Sequence, residues 1–476
     1  MKTKAIERIP EDRDRRAETA DLSASAGDRR PLRHELRTLL ALAGPIVVSQ
    51  LGTVGMNTVD TLMVGPLGAE ALAAAGVGTA IHNTVLMISF GVLIGMSPLV
   101  SQAHGAGDVD RSRRVLVQGL WLALALSVVV AGVSLAGTRV ALLLGQDPAV
   151  AELAGRYMIA LAPGAAPMLL FLAARVYLEG LGIARAPMLV MLLALGLNVP
   201  MNWILIYGVE GWIPPLGVEG AGWATTIVRG SMLLAVLGFF LRRSELRPAP
   251  AAGWRLEPSL LRQIVRVGAP IGGQLGLEVG IFALAAIMMG WFSPTALAAH
   301  QVTINIAATT FMVGLGASMA GSVRVGYHIG AGSRDGVRQA VIGTYLLALG
   351  FMGTCALVFL AAPEALIGLY TRDPEIVALG ASLLIVAAFF QLLDAGQTAG
   401  INLLRGAADT RTPMILAAVG YWGAGLPIAY GLGFHTPLGP RGVWIGLALA
   451  LGIVAALMGR RVRNVLWHGA FSRAEG

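Results

Sequence analysis

Three carboxylates stand where the chain is otherwise apolar. Of the 27 Asp and Glu residues, only Asp60, Glu278 and Asp394 fall well inside long apolar runs. An acid in such a run costs roughly 2.5–3.5 kcal/mol on insertion scales, so it normally faces a cavity or a partner and marks a site by default. The structural alternative is that each acid caps a neighbouring helix or pairs with Arg229, the one deep basic residue. Asn198 and Asn202 lie four residues apart and therefore share one helix face. With a carboxylate they could offer oxygens to a small cation; hydrogen bonding between helices is the alternative. Thr225 and Thr226 are weaker candidates, because threonine hydroxyls in helices usually bond their own backbone.

Spacing says more about Glu278. Gly272, Gly276 and Gly280 recur every four residues, a flat stripe that permits close helix contact. Glu278 lies two residues from two of them, roughly opposite the stripe at about 100° per residue. One face is then expected to pack while the carboxylate points elsewhere, into a cavity. His82 and His300 could relay protons, though a hydrogen-bonded structural histidine is the favoured reading. Trp203, Trp223, Trp291 and Trp422 sit mostly near the ends of apolar runs and read as interfacial anchors. The single cysteine, Cys355, allows neither a disulfide nor a cysteine metal cluster. No phosphate-binding loop, HExxH or nucleophile–base motif is found. An enzyme is therefore not expected, no cofactor is expected, and any active transport must draw on an ion gradient or a partner.

The elements that hold these residues must be helices in lipid. The chain is 56% hydrophobic and 13% charged, against roughly 25% charged in soluble domains. The bilayer is the only solvent for so much apolar surface. An all-α polytopic fold is expected, with spans near 39–63, 72–98, 115–138, 153–177, 187–208 and 220–241, then 265–290, 297–323, 339–361, 376–403, 413–434 and 442–459. A net charge of +8 could point to nucleic acid. Its distribution argues against that. If the N-terminus is cytoplasmic, 29 of the 35 Lys and Arg residues lie in the tails and inner loops. Only Arg139, Arg372 and Arg441 lie in outer loops. This asymmetry places both termini in the cytoplasm. Residues 1–38 are charged and lack an apolar h-region, so they are expected to be a cytoplasmic tail and not a cleavable signal peptide.

The chain also repeats itself at an offset of about 225 residues. Ala71-Leu72-Ala73-Ala74 recurs as Ala296-Leu297-Ala298-Ala299, and Gly105-Ala106-Gly107 as Gly330-Ala331-Gly332. Asp147-Pro148 recurs as Asp373-Pro374, and Pro187-Met188 as Pro413-Met414. Six spans per half is an even number, so the two halves run parallel. Duplicated halves around a midplane cavity are a transporter architecture. The expected division is a tail at 1–38, a first lobe at 39–241, a cytoplasmic connection at 242–264, a second lobe at 265–460 and a tail at 461–476.

Two stretches carry a resemblance. Val59-Asp60-Thr61-Leu62-Met63-Val64-Gly65-Pro66-Leu67-Gly68, followed by Ala71-Leu72-Ala73-Ala74, resembles the first-helix signature of the multidrug and toxic compound extrusion family. Leu404-Arg405-Gly406-Ala407-Ala408-Asp409-Thr410-Arg411-Thr412-Pro413-Met414 resembles that family's loop after its tenth helix. The resemblance covers roughly 38–460. It implies two six-helix lobes around a central cavity and a cation-coupled antiporter exporting organic cations or amphipathic drugs. The family's first-helix aspartate matches Asp60, its helix-five asparagine pair matches Asn198 and Asn202, and its sixth-helix threonine matches Thr225. The second-lobe acids match Glu278 and Asp394, and having all three acids resembles the bacterial NorM-like branch. The implied coupling ion is Na+ or H+, with protons favoured at Asp60 and either ion at Glu278 with Asp394. A monomer in the bacterial inner membrane, with drugs and lipid as its partners, is the further expectation. One departure is that the first-half copy of the loop, Glu179 to Pro187, lacks the Asp-Thr-Arg core. A flippase of the same superfamily, moving lipid-linked precursors, is the alternative. It should line its cavity with Arg or Lys, whereas the deep charges here are mostly acidic. A major-facilitator carrier shares the outline but not the motifs.

Overall fold

Crossing about 30 Å of hydrocarbon takes some twenty apolar residues in a helix, and the chain forms twelve helical segments that meet this demand. The computed structural model describes residues 32–246 and 254–468. The segments are α1 (Leu32–Leu67), α2 (Ala69–Gly105), α3 (Val109–Leu135), α4 (Pro148–Gly180), α5 (Arg185–Tyr207) and α6 (Gly217–Arg242), which make the first lobe. The second lobe holds α7 (Pro258–Phe292), α8 (Pro294–Gly330), α9 (Arg334–Ala361), α10 (Pro374–Gly406), α11 (Arg411–Phe434) and α12 (Pro440–Trp467). Among the described residues there is no strand beyond one bridge between Val209 and Ile213. Leu62, Val128, Leu193 and Leu234 are at least two-thirds exposed. That is the surface lipid must cover.

Several segments are longer than the apolar runs suggested. The 37 residues of α8 span roughly 55 Å at ~1.5 Å per residue, well beyond the hydrocarbon. α1 begins at Leu32, so 32–38, expected in the tail, are helical. Likewise 258–264, expected in the connection, form the first turns of α7, and Leu260 and Ile264 join the apolar core of the first lobe. The Gln118 amide of α3 binds the Arg255 carbonyl and the Glu257 N–H, which fastens this start of α7 to the first lobe. The parts of the expected tails and connection at 1–31, 247–253 and 469–476 lie outside the described residues.

The sequence repeats have local causes. Asp147 and Asp373 cap the N-termini of α4 and α10, each accepting from the N–H two residues on, with proline at the first helical position. Gly107 and Gly332 take φ of 72° and 70°, the left-handed conformation that lets each second helix end and the third begin. The loop after α10 also explains the departure between the halves. Asp409 accepts from Arg461 Nε of α12 at 2.8 Å, and Thr410 Oγ1 donates to the Val267 carbonyl at 2.7 Å. These bonds tie the loop to two helices of the second half.

The glycine stripe on α7 does not pack as one face. Gly272 lies against Gly91 and Ile88 of α2, Gly280 lies under the Trp422 ring of α11, and nothing comes near Gly276. The first of these contacts belongs to a seam between the lobes. Along it Gly95 meets Gly268, Gly330 meets the Gln102 backbone, and Gly105 meets the Tyr327 carbonyl. Leu39, Leu42, Ala43 and Ile46 of α1 continue the seam against Ala317, Ala320 and Val323 of α8. All of it lies toward the end where α1 starts, the end that carries most of the basic residues. Toward the other end, Gly55 of α1 and Gly78 of α2 meet only their own lobe.

Candidate functional site

The structure gathers the expected residues into two clusters, one in each lobe. In the first, Asp60 near the far end of α1 faces α5. Its Oδ1 accepts from Asn198 Nδ2 at 3.0 Å and from Asn202 Nδ2 at 2.6 Å. The i,i+4 spacing puts both amides on one face, and Pro200 between them has no N–H to give to the helix. Both asparagines are almost wholly buried, and both leave Oδ1 without a partner. A buried amide oxygen left unsatisfied costs about 1–3 kcal/mol. Two such oxygens beside one carboxylate are therefore acceptors in want of a donor or a cation. The Thr225 hydroxyl donates to the Ala221 carbonyl of its own helix at 3.0 Å and also lies close enough to act on Asp60.

Arg229 does not bind Asp60 directly, although the two charges act on each other. Its Nη1 is 3.0 Å from His82 Nε2, and His82 Nδ1 is 2.9 Å from Ser134 Oγ. Ser134 already donates to the Val130 carbonyl, so His82 must donate at Nδ1 and accept the arginine at Nε2. This fixes a neutral tautomer and agrees with the structural reading of His82. His300 is different: its ring packs edge-on to Trp444, and its buried Nδ1 has no partner.

The second cluster joins α7, α10 and α11. Asp394 is 6% exposed, and its Oδ1 accepts from Gln397 Nε2 at 3.0 Å and, at 3.5 Å, from Thr398 Oγ1. Gln397 Oε1 in turn accepts from the Tyr421 hydroxyl at 2.6 Å. Tyr421 and Trp422 lie in a π-helical turn, Val419–Gly425, a distortion often found at functional positions. Trp422 Nε1 donates to the Leu277 carbonyl at 3.2 Å, which ties α11 to α7 next to Glu278. No side-chain hydrogen bond links Glu278 to a described residue. The charges that act on it are those of Asp394 and Arg405. Arg405 is buried, donates Nη1 to Asn402 Oδ1 at 3.0 Å and leaves Nε unpartnered.

Gln397 and Thr398 were not singled out in the sequence, although their i+3 and i+4 spacing from Asp394 was a usable signal. Tyr421 had none, because it arrives from another helix. No hydrogen bond or ion pair joins the two clusters. A surface recess at Tyr207–Pro215 touches none of the three acids.

Comparison with known proteins agrees with this two-lobed geometry. The MatE family profile matches residues 45–204 and 270–431, once in each lobe. The chain is 39% identical over 439 residues to a probable multidrug resistance protein NorM of Bradyrhizobium diazoefficiens, covering 91% of this chain and 94% of that protein. It is 36% identical over 436 residues to a multidrug resistance protein NorM of Burkholderia vietnamiensis, covering 90% and 94%. An outward-facing multidrug resistance MATE family transporter superposes with a TM-score of 0.83 at 23% identity, over 91% of this chain and 97% of that one. A Vibrio cholerae MATE transporter in a bent form also gives 0.83, at 20% identity over 92% and 98%. With its two six-helix lobes and its acids in apolar helices, the chain belongs to the multidrug and toxic compound extrusion (MatE) family of membrane transporters.

Proposed function

We propose that this protein is a cation-coupled antiporter of the bacterial inner membrane that exports organic cations and amphipathic drugs by alternating access. The observation that carries the reading is the placing of acidic charge with no direct ion pair among the described residues inside each lobe of a transporter fold: Asp60 in one, Glu278 with Asp394 in the other. A carboxylate kept inside an apolar helix at such a cost marks a place for a cationic visitor, and the exported drug and the coupling ion are both such visitors. Coupling requires that ion and drug favour different cavity orientations, since equal affinity shifts nothing.

In the first lobe Asp60, Asn198 and Asn202 form the coupling site, with Thr225 at its edge. The amides turn their nitrogens to the carboxylate and keep their oxygens unpartnered. In that setting they hold an anionic Asp60. Rotating either amide would exchange donor for acceptor and suit a sodium ion, which prefers oxygen ligands. Protonation of Asp60 would release both amides. In the second lobe Glu278 and Asp394 take a proton or Na+ in exchange for drug. The protein acts as a monomer, with six spans in each lobe, Leu32 to Arg242 and Pro258 to Trp467, and both termini cytoplasmic.

Dye efflux from cells expressing the chain, with sodium and proton gradients imposed separately, tests the antiport reading. Efflux is expected under at least one gradient, and efflux indifferent to both overturns it. Orientation is checked by labelling introduced thiols from outside the cell. A cysteine near Gly211 should react and one at Ser244 should not; the reverse pattern would invert the topology.

A further inference from the structure

A third group of charges lies far from both acid clusters and ties one lobe to the other. Glu35, in the first turn of α1, is 3% exposed. One carboxylate oxygen accepts from Arg324 Nε at 2.8 Å and the other from Arg324 Nη2 at 2.7 Å. Arg324 belongs to α8, in the second lobe. His328, one turn further along α8, brings Nε2 to 2.9 Å from Arg324 Nη2 and 3.3 Å from Glu35 Oε2. The His328 ring fills the space over Gly336 at the start of α9, where a side chain would collide with it. The Arg324 guanidinium lies 5.1 Å from the Tyr327 ring, and that ring lies 5.5 Å from His104 of α2. Helices from both lobes thus meet at one buried, bidentate ion pair.

A buried ion pair is a poor way to gain net stability, because desolvation of the two charges offsets much of their attraction. It is a good way to close a seam that must reopen. When apolar surfaces part, they stay exposed to water at full cost. When Glu35 and Arg324 part, each regains its hydration, so the open state is not penalised in the same way. While the seam is closed, the bidentate geometry fixes the register of α1 on α8. The apolar contacts of Leu39, Leu42 and Ile46 with Ala317, Ala320 and Val323 lie directly beyond it.

We propose that Glu35, Arg324 and His328 form the latch that holds the two lobes shut at the basic end, the cytoplasmic side in the orientation above. The latch rests on the alternating-access reading. It must break for the cavity to face inward, and it re-forms to return the protein to the state described here.

A buried reporter can test this without drug or gradient. Ser101 of α2 is fully buried against Gly326 of α8, so a cysteine there should react with maleimide only when the seam opens. In a Cys355→Ala background carrying Ser101→Cys, the purified protein in proteoliposomes would be labelled from the side of the basic end. Glu35→Gln and Arg324→Met are each expected to speed labelling on the order of tenfold, since removing one partner leaves the other charge buried and unpaired only while the seam is closed. The exchange Glu35→Arg with Arg324→Glu should return labelling to within about threefold of the parent. Unchanged labelling in both single variants overturns the latch. So does a lower melting temperature with labelling that the exchange does not restore, which would make the pair a static staple. If efflux proved independent of ion gradients while labelling still rose, the antiport reading would fail and the latch would stand.

Discussion

The two acid clusters solve the same problem in opposite ways. In the first lobe a single carboxylate is met by neutral donors: two amides converge on one oxygen of Asp60. In the second lobe two carboxylates act on each other, Asp394 supported by Gln397 and Thr398 and Glu278 by no side-chain hydrogen bond from a described residue. The donors to Asp60 carry no charge, and the cation that acts on it, Arg229, makes no direct bond to it. The other cluster keeps like charges close, which is tolerable when a cation or a proton lies between them. The lobes are copies in topology but not in chemistry. Asp60 is met by neutral amides, whereas Glu278 and Asp394 face each other's charge with Arg405 as the cation that acts on Glu278.

That contrast can be broken first at the second cluster, where the largest effect is expected. Glu278→Gln and Asp394→Asn should each cut active efflux by on the order of tenfold or more at near-normal expression, because an amide keeps the size but cannot balance a cation. Normal export by both would make these acids structural. At the first cluster, Asp60→Asn should still bind a cationic dye but lose its release on acidification; release like the parent's would remove Asp60 from the coupling step. A finer comparison is Asn202→Ala against Asn198→Ala. Each removes one hydrogen bond to a charged acceptor, worth about 1.5–3 kcal/mol, and the shorter bond at Asn202 should make its loss the more damaging in ion-driven efflux. Equal and negligible losses would mean that the amides do not hold Asp60 in the working cycle. A smaller effect belongs to Tyr421→Phe, which deletes the donor to Gln397 and should weaken coupling a few-fold, about 1 kcal/mol. Thr225→Val should do less still, since that hydroxyl is shared with the Ala221 carbonyl of its own helix, and a loss as large as that of Asp60→Asn would contradict the placing of Thr225 at the margin.

Much of the fold was legible along the chain. Twelve spans followed from the lengths of apolar runs, and the duplication followed from paired motifs whose local causes, the Asp-Pro caps at 147–148 and 373–374 and the glycine turns at 107 and 332, are read within a few residues. The span ends were less legible. Residues 32–38 and 258–264 are polar enough to resemble tail and connection, yet they are helical because they pack on protein and not on lipid. The histidines divided in a similar way. His82 fitted the expectation of a hydrogen-bonded structural residue, while His300 leaves a ring nitrogen bare.

By itself the sequence determined the solvent of this protein, its two-lobed helical build and three acids in its apolar helices, though not the buried Glu35, Arg324 and Arg405. Each of these is set by composition, period or cost of burial, and needs no knowledge of what lies nearby. Which partners those charges meet was decided only by the tertiary structure. Asp60 reaches Asn198 across 138 residues, Trp422 reaches the backbone beside Glu278 across 145, and Glu35 reaches Arg324 across 289. Contacts at such separations depend on how helices pack, and packing is settled by the shapes of many side chains together. No local spacing rule carries that information.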